Sequence, residues 1–374
     1  MKRYMGINYE ENADCFAKTS SVRSILLYGD PEVIEKPWLT VLVPTYKRAD
    51  LLEQALNSVL DQWHTDFFWD VVVVDNEPYD GKPNDTEKLI RRLDNPRILY
   101  YRNSEHMRPG DNFNRGIFLA RGQWVTMLHD DDLLIASALQ NLDKLIRFYE
   151  KKPGKPLGAI STSYVQFEYD PDKEEAKIDI PGINSYVSFL PTDYKLYKLT
   201  HHNILITAHT GGSIPSNGTT FNREAVLDVG GFNDDFGISA DLILFYCLEN
   251  KYSVYYMLTP MGFYRWGCNT MVKPESTYRT IRAGYDFREY AYSRSLFSRI
   301  MGAMLRRCHY KKFSTDVIRE KRNVSKAKIK LSDFDGIYSK RPWRLTYFFY
   351  TKVLLRAYFL HKRKQSKRLA KGAG

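Results

Sequence analysis

Trp124-Val125-Thr126-Met127-Leu128-His129-Asp130-Asp131-Asp132-Leu133 is the stretch on which the fold of this chain turns. Its first five residues are apolar or β-branched and read as a buried strand, and three adjacent carboxylates follow at the strand's C-terminal end. Neighbouring acids repel one another and are costly to hold in a crevice with little water. A cation offsets that cost. A divalent ion gripping a diphosphate is the economical choice, because Mg2+ or Mn2+ takes one or two carboxylates and leaves its other positions to phosphate oxygens. The competing interpretation is a solvated acidic turn that caps the next helix, where Asp is favoured.

Outward from this strand, strands and helices alternate. Leu39–Val43 is a short apolar run ended by Pro44, and from Asp50 apolar residues at Leu51, Leu52, Ala55, Leu56, Val59 and Leu60 follow helical spacing. Trp69–Val74 predicts a second strand, ending at Asp75-Asn76, then Asp85–Leu93 a helix and Ile98–Tyr101 a third strand. Helices over Asp111–Ala120 and Ile135–Tyr149 flank the opening stretch, and Leu157–Phe167 adds a further strand. This alternation predicts an α/β fold, an open, mostly parallel twisted sheet flanked by helices. Ligands of such sheets bind outside the carboxyl ends of the strands. Three strands end in polar clusters there: Pro44-Thr45-Tyr46-Lys47-Arg48, Asp75-Asn76-Glu77 and His129–Asp132.

No Gly-x-Gly-x-x-Gly follows the first strand and no Gly-x-x-x-x-Gly-Lys-Ser/Thr occurs, so dinucleotide and P-loop readings lose their main support. A nucleotide must be held by other means. Asp75 can accept a hydrogen bond from a pyrimidine N3–H, Tyr46 can cover a base and Arg48 can reach a phosphate.

The order of the motifs Pro44-Thr45-Tyr46-Lys47-Arg48, Ala55–Gln62, Val72-Val73-Val74-Asp75-Asn76, Asn114–Trp124, His129–Asp132, Gly230–Asp234, Ala240-Asp241-Leu242 and Tyr264-Arg265 resembles a family 2 glycosyltransferase over about residues 38–270. The resemblance implies a GT-A fold, a nucleotide-diphospho-sugar donor (a UDP-sugar foremost), Mg2+ or Mn2+, and inversion at the anomeric carbon. It also implies roles. Pro44, Thr45, Tyr46, Arg48, Asp75, Asn76 and Asp130 would bind the donor nucleotide, with Asp75 at the base and Asp130 at the ribose side. Asp131 and Asp132 would hold the metal. Where the family pattern is Asp-x-Asp-Asp this chain begins with His129, so either Asp130 or Asp131 carries the main metal contact, and a neutral imidazole can also ligate. The family's general base is the Asp of a Glu-Asp pair. Here the pair is Ala240-Asp241, which leaves Asp241 as the expected catalytic base.

Two loops complete the expected site. His209–Gly218, with Gly211, Gly212, Ser216 and Asn217, has the composition of a loop approaching a sugar or phosphate and equally of an ordinary surface loop. Arg265 and Trp266 follow a strand and are expected to fold over the donor diphosphate. Residues 170–199 alternate weakly, as a hairpin or an insertion over the site would.

Of the 374 residues 43% are hydrophobic, enough for one large core or two modest ones, and the expected division is an N-terminal extension (1–36), a catalytic domain (37–275) and a helical basic extension (276–374). Four scattered cysteines without CxxC spacing fit a reducing compartment, and no apolar run reaches the length of a membrane span. Residues 279–374 carry 26 Lys and Arg against 6 Asp and Glu, while residues 1–278 carry 29 against 38. An acidic body with a basic end indicates that the end meets an anionic surface. In 341–374 ten basic residues without one acid are interleaved with Trp343, Tyr347, Phe348, Phe349, Tyr350, Tyr358 and Phe359. This pattern suits an anionic bilayer, with a helix packed on the body or an RNA-binding tail as the other interpretations. The expectation is an enzyme of cell-surface polysaccharide synthesis, cytoplasmic and peripheral at the inner face of the membrane, acting on a lipid-linked saccharide, with no nucleic acid partner. A nucleotidyltransferase and a catalytically inactive relative are the alternatives.

Overall fold

Four consecutive valines in Trp69–Asp75 set the layering, because successive side chains of a strand point to opposite faces. The computed structural model describes residues 9, 12–168, 196–199 and 214–266, together with scattered helical positions from 287 to 303 and from 344 to 352. Among these, strands β1–β10 are Ser24–Tyr28, Leu39–Thr45, Trp69–Asp75, Ile98–Asn103, Trp124–Met127, Leu133–Leu134, Leu157–Glu168, Leu196–Leu199, Thr220–Asn222 and Ser253–Trp266. Helices α1–α8 are Cys15–Lys18, Ala49–Leu60, Asp85–Leu93, Pro109–Leu119, Ala138–Glu150, Arg223–Asp228, Ala240–Lys251 and Arg344–Phe348, with a 3-10 segment over Asp234–Ser239.

Val41, Val43, Val71 and Val73 pack with Leu52, Leu56 and Val59 of α2 and with Leu139, Leu145 and Ile146 of α5. Leu42, Val72 and Val74 face the other way, into a layer with Ile117 of α4, Val226 of α6 and Phe245 of α7. Every residue of β2 and β3 is buried, as a parallel sheet covered on both faces requires. The strand order is β1-β4-β3-β2-β5-β9-β7-β10-β6, with β8 beside β10. β2, β3, β4, β5, β7 and β10 share one direction and β1, β6, β8 and β9 oppose it. The sheet is therefore mixed and mostly parallel, as the sequence pattern implies. From β2 the chain moves outward through β3 and β4, then returns to place β5 on the other side of β2. That reversal opens a crevice between the carboxyl ends of β2 and β5.

Several boundaries differ from the sequence pattern. β2 continues through Pro44 because its pairing with β5 has ended at Leu42, where a residue lacking N–H is tolerated. The helix expected from Ile135 starts at Ala138, since Leu133–Leu134 pairs with Gly262 and Phe263 of β10. The segment read as an N-terminal extension packs on the sheet: β1 lies antiparallel on β4, and Asn12 Nδ2 donates to the carbonyls of Val229 (3.0 Å) and Gly231 (2.7 Å). The basic extension also touches that body, with Phe287 and Tyr290 buried in the second layer and the Tyr290 and Tyr246 hydroxyls 3.3 Å apart. Of residues 170–199 only β8 is described, and the rest of that stretch lies outside the described residues. Among the described residues no helix is long and apolar enough to cross a membrane.

Candidate active site

The crevice joins the end of β2 to the turn after β5. Thr45, the last residue of β2, donates its hydroxyl to Asp130 Oδ2 at 2.8 Å. The chain then passes through Lys47 in the left-handed region (φ 54°) and delivers Arg48, whose Nη1 donates to Asp130 Oδ1 at 3.2 Å and Asp131 Oδ2 at 2.9 Å. All three acids are buried, at 6% exposure or less. Burial pushes the Asp130 carboxyl up to about 6 although Arg48 pulls the other way. Burial, and then the neighbouring Asp131, push Asp132 up to about 8. The cost foreseen for adjacent acids is thus real, and Arg48 offsets part of it.

The far side of the turn is fastened by two distant segments. Asn217 Nδ2 donates to Asp132 Oδ2 at 2.6 Å, while its Oδ1 accepts the His129 amide at 2.9 Å. The Arg265 amide donates to Asp132 Oδ1 at 2.7 Å, its Nε to the Asp131 carbonyl at 2.8 Å and its Nη2 to Gln54 Oε1 at 2.8 Å. Arg265 is only 1% exposed and locks the end of β10 to the acid turn. Trp266 ends β10, but its side chain lies outside the described residues, as do Gly211 and Gly212.

Asp241 stands in the first turn of α7, half-buried, and its Oδ2 accepts the Ser216 amide at 3.1 Å. Burial raises its carboxyl above the usual range, and the Ser216 bond and the nearby His129 oppose that rise. Ser216 and Asn217 are adjacent, so one loop ties Asp241 to the acid turn.

The second strand end is tied into the fold by its own side chains. Asp75 is fully buried, and its carboxylate accepts from Asn84 Nδ2 (2.8 Å), the Tyr100 hydroxyl (2.8 Å) and the Glu77 amide (2.9 Å). Asn76 donates to the Met107 carbonyl at 2.7 Å and accepts its amide at 2.9 Å. Both side chains hold loops in place. Pro44 and Thr45 are buried too, whereas Tyr46 is 41% exposed, with its ring 4.7 Å from that of His106. Sequence reading missed His106, Gln54 and Asn84, whose partners lie at |i−j| of 30, 211 and 9, beyond any local pattern.

His129, Asp131 and Asp132 each present one ligand atom, all within 4.8 Å of one another. Nε2 of His129 is buried without a hydrogen-bond partner among the described residues, and the ring stacks on Phe113 at 5.6 Å. The oxygens of Asp132 each keep a lone pair beyond the hydrogen bond described. Two carboxylates and an unpaired imidazole nitrogen form a donor set that fits a divalent ion.

Two motifs behind the resemblance are structural. Asn114 Nδ2 donates to the Phe232 carbonyl and its Oδ1 accepts the Phe232 amide, both at 2.7 Å. Gly231 has φ 76°, and a Cβ there would lie 2.4 Å from Asn114 Oδ1.

Residues 40–154 match glycosyl transferase family 2. The chain is 38% identical over 109 residues to the GalNAc(5)-diNAcBac-PP-undecaprenol beta-1,3-glucosyltransferase of Campylobacter jejuni, covering 28% of this chain and 33% of the relative. It is 30% identical over 171 residues to the abequosyltransferase RfbV of Salmonella typhimurium, covering 44% of each. Among solved structures, S. aureus TarS 1–349 aligns with a TM-score of 0.49 at 14% identity, over 89% of this chain and 90% of that one. The chain spans only a third to under half the length of these two curated relatives.

Proposed function

We propose that this chain, whose residues 40–154 match glycosyl transferase family 2, is a GT-A enzyme of that family that transfers a sugar from a nucleotide-diphospho-sugar to an acceptor hydroxyl with inversion. One observation carries this reading. The loop Ser216-Asn217 links the candidate base, Asp241, to the acid turn that would meet the diphosphate. Displacement needs base and leaving-group site held in a fixed relation, and this loop bonds to both.

In this mechanism Asp241 takes the proton of the acceptor hydroxyl as its oxygen bonds to the anomeric carbon, and the bond from that carbon to the diphosphate oxygen breaks. A raised carboxyl pKa makes Asp241 a stronger base than a solvated Asp. Ser216 fixes one of its oxygens, which orients the other. Asp131, Asp132 and His129 would hold Mg2+ or Mn2+, which when bound supplies charge that stabilises the departing diphosphate. Tyr46 offers an exposed aromatic face to the base.

The proposed acceptor is a lipid-linked saccharide of a cell-surface polysaccharide, a reading supported by the acceptor in the printed name of the Campylobacter relative. The basic segment 341–374 is proposed to bind the anionic inner face of the membrane, about 1 kcal/mol per basic residue. Deleting it should release the protein from anionic liposomes and leave transfer to a soluble acceptor unchanged. Retention on liposomes after deletion would refute that role. The transfer itself is tested with a panel of nucleotide-sugars, UDP-sugars first, in Mg2+ or Mn2+, following sugar release. Inertness toward every donor, or consumption of a nucleoside triphosphate with a sugar phosphate, would overturn it.

A further inference from the structure

Two arginines meet the acid turn, and they are built differently. Arg265 is 1% exposed and hydrogen-bonded to main chain and to Gln54, so it cannot withdraw without unfastening β10. The Arg48 side chain is 26% exposed and reaches Asp130 and Asp131 from the rim of the crevice. Asp131 is shared. It takes Arg48 Nη1 on Oδ2 at 2.9 Å, and it also belongs to the group formed with His129 and Asp132. A divalent ion on Asp131 either takes that oxygen from Arg48 or sits within a few ångströms of a like charge, so ion and guanidinium oppose each other. A diphosphate changes the balance, because its oxygens match the planar fork of an arginine.

We propose that Arg48 is a resident counter-cation that keeps a free divalent ion off Asp131 and moves to the diphosphate when a nucleotide binds, so that ion and nucleotide bind cooperatively. The proposal rests on the metal reading of the site given above. By linkage, each ligand raises the affinity for the other by the same factor.

Mn2+ binding followed by electron paramagnetic resonance, with and without UDP, tests it without any turnover. Wild type should bind Mn2+ weakly alone and about tenfold more tightly with UDP. Arg48→Ala should bind Mn2+ alone several-fold more tightly than wild type and show a smaller gain from UDP. Arg48→Gln, closer in length, carries the same expectation if the alanine variant does not fold. Failure of both variants to fold would overturn the proposal, since a cation that the fold requires is not one that leaves. Mn2+ affinity unchanged or weakened in the folded variants would overturn the competition alone. No Mn2+ uptake by any of the proteins, with or without UDP, would overturn the metal reading and the competition with it.

Discussion

Asp70 and Asp130 lie at opposite ends of the same sheet, both buried, and burial pushes both carboxyls up to about 6. Their surroundings differ. At the base of β3, Asp70 is one acid with its own partners: the Thr40 hydroxyl donates to it at 2.6 Å and Arg121 lies 3.6 Å away. Thr40 in turn accepts the amides of Arg121 and Gly122, so the cluster closes on itself and braces the turn into β5. At the tip of β5, three acids depend on residues from three distant segments around 48, 217 and 265. A perturbed carboxyl is therefore not enough to mark a working site. The excess of acid over local partners is the better sign.

That contrast breaks most visibly at Asp241, the acid tied to the tip. Asp241→Asn should lower transfer about 10²–10⁴-fold, the range for a lost general base, while UDP affinity by calorimetry stays at the wild-type value. Joint loss of UDP binding and activity would move Asp241 into the donor site.

Asn217→Ala gives an effect of middle size. It removes the bonds to His129 and Asp132 together, so Mn2+ affinity should fall about 10–100-fold, as for groups that orient metal ligands. An unchanged Mn2+ titration with a lowered melting temperature would reduce Asn217 to a structural role.

The smallest effect belongs to Asp70, and it is one of stability alone. Its folded carboxyl titrates near 6, above its ordinary value of 3.8. The group's favourable contribution is thus complete below the unfolded value and disappears as pH rises through about 6. Asp70→Asn does not titrate, so its stability relative to wild type should rise by about 2–3 kcal/mol between pH 4 and pH 7.5. Transfer activity should not change. Denaturant melts at the two pH values check the first point, and a loss of activity would erase the distinction between the two ends.

The sheet was legible in the sequence because β-branched runs such as Val71–Val74 and helix-spaced residues such as Leu52, Leu56 and Val59 carry their periodicity locally. The acid turn was legible for the same reason: its charge is concentrated in consecutive residues. Short elements were not. β6 has two residues and β9 three, too few for a period to show. The tasks of Arg265, Asp75 and Asn76 were hidden because they bond to main chain or to partners elsewhere in the chain. Asn114 and Gly231 show the converse, a motif whose residues serve packing and backbone conformation.

The antiparallel strand Ser24–Tyr28 has a practical consequence. It covers β4, with Leu26 opposite Tyr101, and is itself the terminal strand of the sheet. A chain trimmed to begin at residue 37, where the expected catalytic domain starts, would make the longer and more buried β4 the edge strand in place of the half-buried β1. The open row of peptide groups on an edge strand is a template for pairing between molecules. Shortened versions meant for crystallisation or display should therefore keep the segment that includes Asn12 and β1, which leaves a short, half-buried strand at the edge.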